Sequence, residues 1–198
     1  MSRRSWQVVT LLPATVTMGL IAGFFYAWDV SVMPGLSRLD DRTFVGTFQA
    51  LDRAMMMNPL FMLAFMGALA FTGVAAVLYR RDDDHSVLPW VAVAFGLYLA
   101  AFVITMATHE PLNDAIRAAG NPDRIADLAV VRDAFHETRW VAWNIVRTIA
   151  ITAAFGCVAW ALVLHGRAST DHQAPTRLRR HPVHLQERLP DAPSVEAR

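Results

Sequence analysis

The sequence predicts an all-α membrane protein: a bundle of four transmembrane helices, with an amphipathic helix between the first and second spans and a helical extension before the fourth. Of its 198 residues, 55% are hydrophobic, and they are gathered into four runs of 19 to 25 residues. A helix needs roughly 20 residues to cross a hydrocarbon core. The first three runs carry no charge, so they lack the polar face of a soluble bundle helix. The runs are Val8 to Trp28, Leu60 to Leu78, Val87 to Thr108 and Trp140 to Leu164.

The first run follows Arg3 and Arg4, a start that resembles a twin-arginine export signal. The run is longer than a usual signal core, and no clear small-x-small cleavage pattern follows it, so we expect a retained helix. Between the first two spans, residues 37–57 place Phe44, Phe48, Leu51 and Met55 at helical spacing, which predicts the amphipathic helix. Asn58 and the proline after it are an N-cap and a first-turn proline, the expected start of the second span.

The remaining connections are predicted from helix signals. The polar residues His109 to Asp114 are a break in the apolar run after the third span. Asn121 starts a new helix, and because neither proline nor glycine occurs between residues 123 and 155, we expect one long helix that continues into the fourth span. Residues 166–198 are rich in arginine, proline and polar side chains, which predicts a disordered tail after a transmembrane domain of residues 1–165.

This topology places polar residues together. The first and third spans end, and the second and fourth begin, at one membrane face, and the amphipathic helix covers that face. We therefore expect one polar site there. Its members come from every connection at that face: Asp29, Gln49, Asp52, Asn58, His109 to Asn113, and Arg139 to Asn144.

Arg147 lies about 12 Å inside the fourth span, where a charge is costly and usually finds a partner inside the bundle. We expect that partner among Asp52, Glu110 and Asp114, and the alternative is a purely structural tie between helices. Residues 136, 139, 140, 143, 144 and 147 are predicted to share one helix face. Trp140 and Trp143 fit interfacial anchors, and Trp143 equally fits the wall of a site for a flat aromatic ligand.

Metal chemistry is the other reading of the polar residues. Imidazole and carboxylate groups at His109, Glu110, His136 and Asp52 are of metal-ligand type, and a haem between the two histidines is a variant. No diagnostic ligand spacing occurs, and Cys157 is the only cysteine. We therefore assign no metal and no cofactor.

Several short motifs, in order and spacing, resemble a known family. They are Met33-Pro34-Gly35-Leu36, Phe44-Val45 with Phe48-Gln49, Asn58-Pro59, Pro111-Leu112-Asn113, and Trp140-x-x-Trp143-Asn144-x-Val146-Arg147-Thr148. Over roughly residues 8 to 165 the chain resembles the anthrone-oxygenase-like family of four-helix membrane proteins. Fungal members of that family are linked to the oxidation of polyketide anthrones by molecular oxygen. Where the family commonly has Asn-Val before Pro-Leu-Asn, this chain has His109 and Glu110.

The resemblance implies a cofactor-independent oxygenase acting on a lipophilic anthrone-like or hydroquinone-like substrate. Such chemistry needs a base, for which His109 and Asp52 are candidates, and an anion stabiliser, for which Arg147 is the candidate. The competing hypothesis is a non-enzymatic binding or helper protein. The predicted substrate-binding residues are Gln49, Asn58, Asn113, Trp140, Trp143 and Asn144.

Arginine counts predict the orientation. Ten arginines flank the side that holds both termini and seven the other, which favours cytoplasmic termini in a multi-pass protein of the cell membrane. The expected partners are the lipid bilayer and a lipophilic small molecule. A homo-oligomer is compatible with the sequence, and no nucleic-acid partner is expected.

Overall fold

The computed structural model describes residues 3–81 and 85–171, and within these ranges every regular element is helical. The predicted all-α fold is confirmed. Two of the long helices contain a π-helical turn, one at Trp28–Val32 and one at Thr105–His109. The α-helices are α1 (Arg3–Ala27), α2 (Met33–Leu36), α3 (Asp41–Met56), α4 (Pro59–Tyr79), α5 (Leu88–Ile104), α6 (Glu110–Ala118), α7 (Leu128–Ala134) and α8 (Glu137–Asp171).

Four helical stretches of the described chain are long and apolar enough to cross a membrane. They are Ser5–Leu36, Pro59–Tyr79, Leu88–Ala118 and Leu128–Arg167. Helix α1 packs on α4, and α4 packs on α5. Trp90 of α5 meets Trp160 of α8 with ring centroids 6.4 Å apart, which brings the fourth helix beside the third.

The Phe155 ring of α8 lies against α1 at Gly19. A Cβ atom at this position would lie 2.9 Å from the Phe155 ring, closer than packed side chains allow. Glycine therefore leaves room for the Phe155 ring, and a larger residue here would push that ring away.

The amphipathic helix is confirmed as α3. Asp40 is its N-cap and accepts a hydrogen bond from the Thr43 amide at 3.1 Å. Its apolar face buries Phe44 and Phe48 in a cluster with Phe135 and Trp140. Helix α3 packs against α4, α6 and α7, so it covers one end of the bundle.

The connection between the third and fourth spans is only partly as predicted. The apolar run ends at His109, but the helix continues, because the π-helical turn leads directly into α6 and Pro111 lies in the first turn of α6, where a proline is tolerated. The helix predicted from Asn121 is interrupted by a 3-10 turn and again at His136. His136 has a φ of 51°, a left-handed conformation that ends α7 before α8 begins.

The predicted tail is described only in part. Helix α8 continues to Asp171, six residues beyond the expected domain boundary at residue 165. Residues 172–198 lie outside the described residues, so the disordered tail stays a prediction.

Candidate functional site

A cavity of about 280 Å³ lies at the end of the bundle that α3 covers. Most of its wall is aromatic or methionine, and six polar or charged side chains with buried or half-buried positions line the remainder. Ligand cavities commonly enclose about 300–1,000 Å³, so this space suits one small ligand. The lining residues with polar groups are Asp52, Thr105, His109, Glu110, Asn113, Trp140 and Arg147.

The Arg147 guanidinium reaches this cavity from α8 and is only 3% exposed. Its Nη1 donates to Thr105 Oγ1 at 3.0 Å, and its Nη2 donates to Asn144 Oδ1. Its Cζ lies 3.7 Å from the centroid of the Phe25 ring. Among the described residues no carboxylate forms an ion pair with Arg147, and its Nε has no hydrogen-bond partner.

Asn144 connects Arg147 to the first helix. Its Nδ2 donates to the Asp29 carboxylate and, at 3.3 Å, to the backbone carbonyl of Phe25. The Asp29 carboxylate therefore reaches the Arg147 guanidinium only through the side-chain amide of Asn144. Such an arrangement holds the cation in position without neutralising it directly.

His109 lines the same cavity and is 1% exposed. Neither of its ring nitrogens has a hydrogen-bond partner in the described part of the chain. Its ring meets Trp140 edge to face, with centroids 5.0 Å apart and planes at 87°. A buried imidazole without partners is costly, so a structural role explains it poorly.

A second polar chain crosses from α8 to the surface. Trp140 Nε1 donates to Asn113 Oδ1 at 2.9 Å, and Asn113 Nδ2 donates to Asp52 Oδ1 at 3.1 Å. Asp52 Oδ2 accepts from Arg117 Nη1 at 2.7 Å. Burial raises the pKa of Asp52 above its usual range, and the hydrogen bond and charge of Arg117 oppose that rise.

Arg117 also binds two carboxylates of its own helix. Its Nη2 donates to Glu110 Oε2 at 2.8 Å and to Asp114 Oδ1 at 2.6 Å. Asp52, Glu110 and Asp114 are the carboxylates among which the sequence analysis expected the partner of Arg147. That assignment is wrong, because Arg117 lies on the same helix as Glu110 and Asp114 and reaches Asp52 as well.

Both π-helical turns contribute to the surroundings of Arg147, the second through Thr105 and the first through Asp29, which binds Asn144. The first carries Trp28 and Asp29, and the second carries Thr105 and His109. Each π turn inserts an extra residue into an α-helix and changes which side chains face inward, and such turns occur frequently at functional sites. Nothing in the apolar runs predicted either turn.

The structure brings five of the predicted site residues into one cavity: Asp52, His109, Asn113, Trp140 and Arg147. Asn144 stays one hydrogen bond away, on the side of Arg147 that faces α1. Phe25, Thr105 and Arg117 contact these groups, and the sequence analysis did not include them. Thr105 and Phe25 lie inside apolar runs, so the sequence does not distinguish them from the other residues of a membrane span.

Three predicted residues lie elsewhere. Gln49 donates to the backbone carbonyls of Ile116 and Gly120, at 2.7 and 2.9 Å, and so caps the end of α6. Asn58 accepts from the Leu60 amide at 2.9 Å as the N-cap of α4. Trp143 is 40% exposed on the outer surface of α8 and does not line the cavity.

The metal reading gains no support from the geometry. Within residues 3–81 and 85–171, no group of three or more histidine, cysteine, aspartate or glutamate side chains is placed to hold a metal ion. His136, the second histidine of the haem variant, lines a separate outer groove with Asp41 and Arg132.

Four apolar helices of membrane-spanning length, closed at one end over a cavity with a buried cation, define a small four-helix membrane protein. Residues 61–157, about half of the chain, match the family model described as anthrone oxygenase. The match confirms the resemblance found in the sequence, and this segment belongs to the anthrone oxygenase family. It contains His109, Asn113, Trp140, Asn144 and Arg147, whereas Phe25 and Asp52 precede it. Comparisons with curated proteins and with solved structures gave no match.

Proposed function

We propose that the protein is a cofactor-independent oxygenase that acts on a lipophilic aromatic substrate of the anthrone or hydroquinone class. The observation that carries this proposal is the meeting of Arg147 and His109 in one apolar cavity. The first is a buried cation with neutral hydrogen-bond partners, and the second is an imidazole with two unoccupied nitrogens. Together they supply an anion stabiliser and a base.

For an anthrone, the reaction that fits these groups begins at the doubly benzylic carbon, which is conjugated through the fused rings with the carbonyl on the opposite side of the central ring. His109 accepts the proton from that carbon, and the electron pair moves to the carbonyl oxygen, which becomes an enolate. Arg147 stabilises the enolate charge, and the substrate rings contact the aromatic wall. The carbanion form then reacts with molecular oxygen; one oxygen atom remains as the new carbonyl and the other leaves as water with the two hydrogens of the carbon.

Oxygen uptake by the purified protein tests the proposal. With anthrone or a hydroquinone, we expect substrate-dependent consumption that falls about 10²–10³-fold in Arg147→Ala and about 10²–10⁴-fold in His109→Ala. Arg139→Ala and His136→Ala are matched controls, since both residues are exposed and neither lines the cavity. Full activity in the first two variants, or wild-type protein inert toward every substrate, contradicts the proposal. Metal analysis of the same preparation tests cofactor independence, which stoichiometric iron, copper or zinc would contradict.

The second candidate function is a non-enzymatic binding or helper protein. The observation that favours it is that the bonds of Arg147 and Asn144 join α1, the second π-helical turn and α8, as a structural tie would. The two candidates differ in one measurement. Ligand binding without oxygen uptake supports the binding protein, whereas Arg147→Ala that stays folded and loses only turnover supports the oxygenase.

We further propose that all four long helices cross the cell membrane, with both termini cytoplasmic and the cavity toward the opposite face. The arginine bias supports this orientation. A reporter enzyme that is active only in the cytoplasm, fused after residue 198, is expected to be active. If the fusion after residue 198 is inactive while the same reporter is active when inserted between residues 80 and 86, which connect the second and third spans, the cytoplasmic position of the C-terminus is contradicted.

A further inference from the structure

Three methionines line the cavity and are also exposed on the outer surface of the protein. Met56 is 41% exposed, Met66 46% and Met106 44%. They come from the end of α3, from α4 and from the second π-helical turn. A side chain that contacts both the cavity and the exterior marks the place where the cavity wall is one residue thick. We refer to these three residues as the methionine mouth.

The surface around Met66 and Met106 is apolar. Leu63 and Val103 precede them by about one helical turn on the same helix faces, are exposed, and belong to helical stretches of membrane-spanning length. An opening between these helices faces hydrocarbon when they cross a bilayer. Met56 is where the mouth meets the covering helix: it also lines an outer groove with Arg53 and Arg117, and Arg117 binds Asp52 of α3 there.

Methionine suits a wall that must open. Its unbranched side chain has three rotatable bonds and can adopt many shapes at low cost. Leucine or phenylalanine at the same positions would fill the gap with a more rigid group. The concentration of methionine at this point is therefore explained by passage of a ligand better than by packing alone.

We propose that the methionine mouth is the lateral passage through which a lipophilic aromatic ligand moves between the bilayer and the cavity. The proposal rests on the proposed function for the class of ligand, and it adds the route and the residues that control it. Ligand that dissolves in the membrane reaches Arg147 and His109 from the lipid side without crossing the ion pairs of Arg117.

Binding kinetics test the passage without requiring turnover. Wild type and variants are reconstituted in phospholipid nanodiscs and mixed with anthraquinone, whose binding is followed by quenching of tryptophan fluorescence because Trp28 and Trp140 line the cavity. The double variant Met66→Phe, Met106→Phe narrows the passage. We expect its association and dissociation rates to fall together, on the order of tenfold. The double variant with alanine at the same two positions is expected to raise both rates.

Met57→Phe and Met57→Ala are the matched controls, since Met57 is 76% exposed and does not line this cavity. Unchanged rates in both double variants, or no quenching with wild-type protein, overturn the passage. A change confined to the affinity, with the association rate constant, also overturns it. The oxygenase proposal is judged separately by oxygen uptake: altered binding rates with no uptake in any variant support the passage and contradict the oxygenase.

Discussion

The Cζ atom of Arg147 lies 3.7 Å from the centroid of the Phe25 ring, so an aromatic face from the first span covers a cation from the last. A guanidinium over an aromatic ring is stabilised by up to about 2 kcal/mol when water is excluded. With Thr105 and Asn144 as its hydrogen-bond partners, Arg147 is held entirely by neutral groups. The charge therefore remains available to an anion in the cavity.

The imidazole of His109 is expected to cost stability in the absence of ligand. His109→Leu removes two buried, unpartnered nitrogens and keeps an apolar side chain in the space, so we expect equal or greater stability, by up to about 1–3 kcal/mol. Oxygen uptake should be lost in the same variant. Thermal unfolding in detergent measures the first effect.

His109→Ala is the control for His109→Leu, because it removes the same nitrogens but leaves an empty space. It should therefore be less stable than the leucine variant. Loss of stability in the leucine variant would show that the imidazole has a structural partner, such as an ordered water.

The carboxylates around Arg117 should contribute unequally. Arg117→Gln leaves the buried Asp52 without its cationic partner, and we expect a loss of about 1–3 kcal/mol in the free energy of unfolding. Asp114→Asn should cost less than about 1 kcal/mol, because Asp114 is 72% exposed and Arg117 keeps two other carboxylates. Chemical denaturation of both variants gives the comparison. Equal losses in the free energy of unfolding would mean that the buried ion pair with Asp52 contributes no more to stability than the exposed pair with Asp114.

The sequence identified the spans and Arg147, because length and charge are visible without knowing how the helices rotate. It assigned the wrong partners to Arg147, because partner choice depends on the rotation of α6, and the π-helical turn at Thr105–His109 changes that rotation. The helix face predicted for residues 136, 139, 140, 143, 144 and 147 is only partly buried. Trp140, Asn144 and Arg147 are buried while Arg139 and Trp143 are exposed, so these residues lie on both sides of the edge of the buried face.

Asp52 predicts a pH dependence of stability. Burial raises its pKa in the folded protein, so the folded state binds this proton more readily than the unfolded chain. This contribution to stability is complete below the unfolded pKa of about 4 and is lost as the pH rises through the folded pKa. We therefore expect the wild type to lose thermal stability relative to Asp52→Asn between about pH 4 and neutrality.

The measurement is the unfolding temperature of both proteins in the same detergent across that pH range. Asp114→Asn, which removes an exposed carboxyl of the same cluster, should follow the wild type. A difference between wild type and Asp52→Asn that grows as the pH falls would contradict the prediction, because it would mean that Arg117 outweighs burial and lowers the pKa.

Trp140 and Trp143 lie three residues apart on α8 and should respond differently to the same substitution. Trp140→Phe keeps an aromatic ring against Phe48 and His109 but removes the donor to Asn113 Oδ1, at an expected cost of about 1–3 kcal/mol. Trp143→Phe should leave both stability and ligand affinity unchanged, because its ring is exposed and outside the cavity. Anthraquinone affinity and the free energy of unfolding are measured for both variants. If Trp143→Phe weakens binding and Trp140→Phe does not, the ligand occupies the outer surface of α8, and the cavity beside Arg147 is not the binding site.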